Sequence, residues 1–181
     1  MERKQRWMWM FLALAPVALP VAMVAQQPNA VMVSAERGAI QKLAFLTGRW
    51  SGPVTIYRGS GKALQMTQQE NVQYKVGGLV MLIEGRSTDG SGRVRFDALA
   101  TIAYDPARHE YRIRAYSGGR YLDTRLTVEA RGFRWGFREG PAQVVNSMHL
   151  TGQGEWLERT QATVGSNAPQ RSMQMVLRHN Q

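Results

Sequence analysis

The chain has 181 residues, no cysteine and a formal net charge of +10, with 23 Lys and Arg against 13 Asp and Glu. Without cysteine it can be neither acylated at a signal-peptide Cys nor stapled by disulfides, so its stability must come from a hydrophobic core. No phosphate loop, His/Cys ligand spacing or Gly-x-Ser-x-Gly elbow is present, which removes the sequence signatures of nucleotide, zinc and α/β-hydrolase chemistry.

Residues 1–25 have the layout of a secretory signal peptide. Arg3, Lys4 and Arg6 lead, an apolar stretch runs from Trp7 to Ala25, and Gln26 and Gln27 turn polar. The stretch is long enough to span a bilayer, but Pro16 and Pro20 interrupt it and its Ala/Val-rich end reads as a processing site. Cleavage after Ala25 and export to the periplasm or medium are therefore expected, with an uncleaved membrane anchor as the alternative. Residues 26–39 read as a flexible leader and the start of a short helix, and residues 40–179 as one domain. Lys42, Lys62 and Lys75 are the lysines that follow the leader; the other basic residues there are arginines spread over the whole domain. Such a surface suits peripheral contact with an anionic membrane, whereas the export signal disfavours nucleic acid as a partner.

Ser34 can cap a helix over residues 35–46, with Ile40, Leu43 and Ala44 along one face and Gly48 placed to end it. After Trp50 the pattern changes to period two. Ten runs follow, at residues 49–58, 66–75, 79–87, 96–104, 111–117, 121–129, 133–138, 143–151, 155–164 and 171–178. The links between them carry Gly59-Ser60-Gly61, Asp89-Gly90, Asp105-Pro106, Gly118-Gly119 and Gly152-Gln153-Gly154, residue types that tight turns require. Short strands with hairpin-length links and no intervening helices describe an antiparallel up-and-down meander, and closure into an all-β barrel removes its exposed edges. About eight to ten strands enclose one small ligand or fill with side chains.

Alternation sorts the faces. Phe133, Trp135 and Phe137 oppose Arg134 and Arg138, and Met173, Met175 and Leu177 oppose Ser172 and Gln174. Met81, Trp135, Trp156, Met173 and Met175 are the candidate apolar lining of an interior site. Gln68 and Glu70 share a face with Met66 and Val72, and Glu158 and Thr160 with Trp156. Glu84 shares one with Val80 and Leu82. Glu70 and Glu84 are the candidate polar anchors, since a buried carboxyl must be paired or protonated. The histidines are His109, His149 and His179; the last two are candidate axial ligands if the barrel holds haem, which needs only one.

The segment Leu43-x-x-Leu46-x-Gly48-x-Trp50 followed by a strand meander resembles the calycin superfamily of lipocalins, fatty-acid-binding proteins and nitrobindin-like haem barrels. The Gly77-Gly78 to Glu84-Gly85 segment, Ala103-Tyr104-Asp105 and Gly154-Glu155-Trp156 are similar to the bacterial domains of unknown function 1579, lipocalin-like barrels without an assigned activity. The resemblance implies a lipocalin-like barrel with a short N-terminal helix, closed at one end by Arg178 packed over the Trp50 ring. The apolar, Met-rich interior leads to the expectation of a carrier or sensor of a small apolar or amphipathic ligand, without a cofactor and not an enzyme. Haem binding of the nitrobindin type, or a filled barrel that holds anionic partners through its arginines, are the alternatives.

Overall fold

The computed structural model describes residues 29–59, 61 and 63–180; the signal segment 1–25 and leader residues 26–28 lie outside the described residues. Ten strands form one closed antiparallel barrel in which each strand pairs with its neighbour in sequence and the last returns to the first. They are β1 (Gly48–Ile56), β2 (Leu64–Lys75), β3 (Val80–Thr88), β4 (Val94–Asp105), β5 (Glu110–Ser117), β6 (Arg120–Glu129), β7 (Gly132–Glu139), β8 (Ala142–Leu150), β9 (Trp156–Val164) and β10 (Gln170–His179). The expected all-β up-and-down barrel is what forms, at the upper end of the expected strand number. Closure runs through Trp50↔His179 and Val54↔Met175, so no edge strand remains among the described residues.

Turn chemistry holds the meander together. Gly118 and Gly119 both adopt positive φ, 56° and 75°, between β5 and β6. A two-residue hairpin of this type needs that conformation at both positions, which side-chain-bearing residues adopt at a cost.

The helix differs from expectation. It spans Ala30–Gln41 (α1), and Asn29 rather than Ser34 caps it, its Oδ1 accepting from the backbone N–H groups of Val31 and Met32 at 3.1 and 3.4 Å. Asn29 is itself a strong cap, and starting there leaves Ser34 inside the helix. At the other end Leu43 leaves helical geometry, and a single 3-10 turn over Ala44–Leu46 carries the chain to β1. This bend lets Ile40, Leu43 and Leu46 all be fully buried across one end of the barrel. Tyr111 Oη donates to the Ala39 carbonyl at 2.9 Å and Arg37 Nε to the Gly77 carbonyl at 3.2 Å, fastening α1 to β5 and to the β2–β3 connection. The barrel thus has one plugged end. The opposite end is ringed by the β1–β2, β3–β4, β5–β6, β7–β8 and β9–β10 links.

The core sits beside the plug. Ile40, Leu43, Leu46, Val72, Met81, Ile102, Met148 and Leu177 are all at most 2% exposed and form one cluster with Trp50 and Trp156. Burial of this kind contributes roughly 1.5–3 kcal/mol per large aliphatic side chain.

Candidate functional site

Beyond that cluster the interior opens into a cavity of about 780 Å³ that reaches the unplugged end. A volume of that order falls within the usual range for small-molecule sites, about 300–1,000 Å³. The expected alternative of an interior filled by side chains does not match that space. Val54, Ile56, Met66, Ile83, Trp135, Phe137, Met173 and Met175 give it apolar walls, and Arg58, Arg95, Arg120 and Arg138 line it toward the open end. Arg120 pairs with Glu139 at 2.5 Å and Arg95 approaches Asp89 at 4.0 Å.

The floor is polar. Gln68 and Glu70 on β2, Ser87 on β3, Asn146 on β8 and Glu158 on β9 are each at most 9% exposed, and all line the cavity together with Thr160 and Trp156. Strand register explains the grouping. Glu70 faces Gly85 and Gln68 faces Ser87 across β2 and β3, so small residues leave room for the longer side chains. Asn146 is the partner of Thr160 across β8 and β9.

Hydrogen bonds fix these groups in two sets. Ser87 Oγ donates to Gln68 Oε1, and Gln68 Nε2 donates to Glu70 Oε1 at 2.7 Å. On the other wall Trp156 Nε1 donates to Glu158 Oε2 at 3.0 Å and Thr160 Oγ1 to Asn146 Oδ1 at 2.5 Å. Asn146 Nδ2 is buried without a hydrogen-bond partner among the described residues.

Both carboxyls hold their protons far above the usual range. Burial, reinforced by the negative charge of Glu158 and opposed by the Gln68 hydrogen bond, pushes Glu70 up to about 8. Burial pushes Glu158 up to about 7 against the Trp156 hydrogen bond. Below about pH 7 the floor is therefore largely uncharged, and it can both donate and accept hydrogen bonds.

Five of the candidate lining residues come together at this cavity: Glu70, Trp135, Trp156, Met173 and Met175. Two do not. Met81 is fully buried in the cluster against the plug and outside the cavity lining. Glu84 points outward, its Oε2 accepting from Asn71 Nδ2 at 3.0 Å on the exposed face. On β3 the inward set is Met81, Ile83, Gly85 and Ser87, and period two sends Glu84 to the other side. Glu158, Asn146, Gln68 and Ser87 were missed as site residues. The alternation of Glu158 with Trp156 carried the signal for the first of them.

Arg178 does not cover Trp50. Its side chain is 80% exposed and its Nε donates to Glu155 at 2.9 Å. One residue on, His179 meets the Trp50 ring edge-to-face with centroids 4.8 Å apart, and its Nε2 lies 3.2 Å from the Thr47 carbonyl oxygen. Trp50 is held from below as well, by its Nε1 donating to the Leu46 carbonyl at 2.7 Å and by the Trp156 ring at 5.8 Å. The haem candidates fare likewise: His149 is exposed on the outer face of β8, and His179 is engaged at the barrel end. Neither lines the cavity, so neither imidazole fits as axial ligand to a haem seated there.

The molecule is thus a closed ten-stranded barrel with a helical plug and an interior cavity. No known family model matches the chain, and no curated protein matches it. Among solved structures it is similar to Rv2717c from M. tuberculosis, with a TM-score of 0.60 and 12% identity over 79% of this chain and 98% of that one. At that identity the likeness carries the fold alone.

Proposed function

We propose that this chain is an exported calycin-type barrel that binds a small amphipathic molecule in its interior, as a carrier or sensor rather than an enzyme. One observation carries this reading: a cavity of about 780 Å³ whose walls are aliphatic, Met and aromatic side chains and whose floor is a cluster of buried polar groups. Apolar walls reward burial of a hydrocarbon body, and the polar floor fixes its head. The signal-like residues 1–25 support export.

The experiment is native mass spectrometry with an absorption spectrum on the protein purified without added ligand. A retained small apolar mass is expected. A clean apo mass from a protein that also refuses the neutral dye Nile red would overturn the reading, and a Soret band would redirect it to haem.

A second reading concerns the open end. Tyr57, Val94, Phe96 and Tyr121 are exposed there beside Arg58, Arg93, Arg95, Arg120 and Arg138, and the Arg171 guanidinium sits 5.9 Å from the Tyr57 ring centroid. Aromatic side chains interleaved with arginines suit peripheral docking on an anionic bilayer, with the cavity opening toward the lipid. Sedimentation with phosphatidylglycerol vesicles, lost in high salt and absent with phosphatidylcholine, is the outcome that fits.

A further inference from the structure

We propose that the cavity floor takes an uncharged head group that both donates and accepts hydrogen bonds, a hydroxyl or a carboxamide, on an apolar body. The inference rests on the ligand-binding reading above and adds the chemistry of the head.

The floor's own hydrogen bonds decide what is left for a ligand. Thr160 Oγ1 holds Asn146 Oδ1, which commits the amide orientation and leaves Asn146 Nδ2 as a buried donor without a partner. An unpaired buried donor costs about 1–3 kcal/mol, so this atom asks for an acceptor on the ligand. Gln68 Nε2 occupies one oxygen of Glu70 and Trp156 Nε1 one oxygen of Glu158. The second oxygen of each carboxyl remains for the ligand, as an O–H that donates and can also accept while the carboxyl is protonated.

Head groups then sort by their donors and acceptors. An ammonium can donate to both carboxyls but has no acceptor for Asn146 Nδ2, and it must pass the arginines of the open end. A carboxylate can accept from Asn146 and from the protonated carboxyls but has no donor, and it would bring a desolvated negative charge into a floor that holds no cation among the described residues. A hydroxyl or a carboxamide supplies both functions and brings no charge into a desolvated site. The hydrocarbon body would lie along Val54, Ile83, Met173 and Met175.

The test uses the full chain at pH 6 with four ten-carbon probes, 1-decanol, decanamide, decylammonium and decanoate, each titrated against bound Nile red. 1-Decanol and decanamide are expected to displace the dye at concentrations at least about tenfold lower than the two charged probes, a ratio worth about 1.4 kcal/mol. N146L should remove most of that advantage, read as the ratio of 1-decanol to decylammonium affinity in the same variant. If N146L does not fold, as judged by circular dichroism, the ranking of the four probes on the wild-type chain decides alone. Equal affinities, or a tighter decylammonium, would overturn the assignment. Tighter decanoate would also overturn it, and its weakening in R138A would place the head at the open end. Nile red that binds while the probe ranking fails leaves the ligand-binding reading intact; a clean apo chain that never binds Nile red removes both.

Discussion

Glu70 and Gly85 face each other across β2 and β3, and the Glu70 carboxyl oxygens lie 2.7 and 2.8 Å from the point that a Cβ on residue 85 would occupy. The glycine is therefore the space in which the carboxyl sits. Gly85 has ordinary extended backbone, so alanine there strains nothing but the Glu70 side chain. Gly85→Ala is expected to keep the barrel, lower its stability by about 1–3 kcal/mol and turn the Glu70 carboxyl away from the floor. Nile red and 1-decanol titrations on a variant shown to be folded by circular dichroism check this. Unchanged affinity would mean that the ligand head does not use Glu70.

Glu70 and Glu158 give the fold a pH dependence of definite sign. An exposed Glu in the unfolded chain titrates near 4.5, whereas these two are pushed up to about 8 and about 7. Between those limits the folded chain holds protons that the unfolded chain has released. Unfolding then loses protons, so stability falls as pH rises from about 4.5 to about 8 and levels off above. The slope approaches about 1.4 kcal/mol per pH unit for each carboxyl still protonated only in the fold. Urea denaturation of wild type and Glu70→Gln at pH 5, 7 and 8.5 measures it. The variant is expected to match wild type or fall slightly below it at pH 5 and to exceed it at pH 8.5. A wild-type stability independent of pH over this interval would show that the carboxyls are solvated.

The strands and their turns were legible because each half-buried strand repeats every two residues and each link carries glycine, Asp-Pro or Asn-x-Pro chemistry. The inward face was legible only where one face was clearly polar. β7, with Phe133, Trp135 and Phe137 against Arg134 and Arg138, gave it at once. β3 did not, because Val80, Met81, Leu82 and Ile83 are apolar on both faces. What settles β3 is the pairing of Gly85 and Ser87 with Glu70 and Gln68, a fit between strands that one strand's pattern does not contain. The same limit hid Asn146, whose role depends on Thr160 across β8 and β9. The start of α1 turned on two competing caps, Asn29 and Ser34, of similar intrinsic strength.

The plug gives a prediction about stability that is independent of ligand. Leu43 is fully buried between the end of α1 and the barrel cluster. Leu43→Ala is expected to cost about 2–5 kcal/mol, because the closed barrel wall leaves little freedom to collapse around the lost methyl groups. Thermal melting followed at 222 nm checks it; a loss below about 1 kcal/mol would mean that the plug is loosely seated.

The contacts of Trp50 separate two neighbouring residues by function. His179 gives an edge-to-face contact at 4.8 Å and a polar contact with the Thr47 carbonyl, whereas Arg178 makes a solvent-exposed pair with Glu155. An aromatic contact of this geometry is worth about 0.5–1.5 kcal/mol beyond its buried area, and an exposed ion pair about 0–1 kcal/mol. His179→Ala should therefore lower the melting temperature by a few degrees, while Arg178→Ala should leave it nearly unchanged. His149→Ala, on the outer face of β8, should alter neither stability nor Nile red affinity. The reverse order, with Arg178→Ala the more damaging, would restore the arginine-over-tryptophan closure implied by the lipocalin resemblance. Because Gly48 packs its backbone directly against the His179 ring and holds φ 115°, Gly48→Ala should cost more than His179→Ala, adding backbone strain to the loss of the ring contact. A double variant no worse than Gly48→Ala alone would show that the His179 ring contact is already lost in Gly48→Ala.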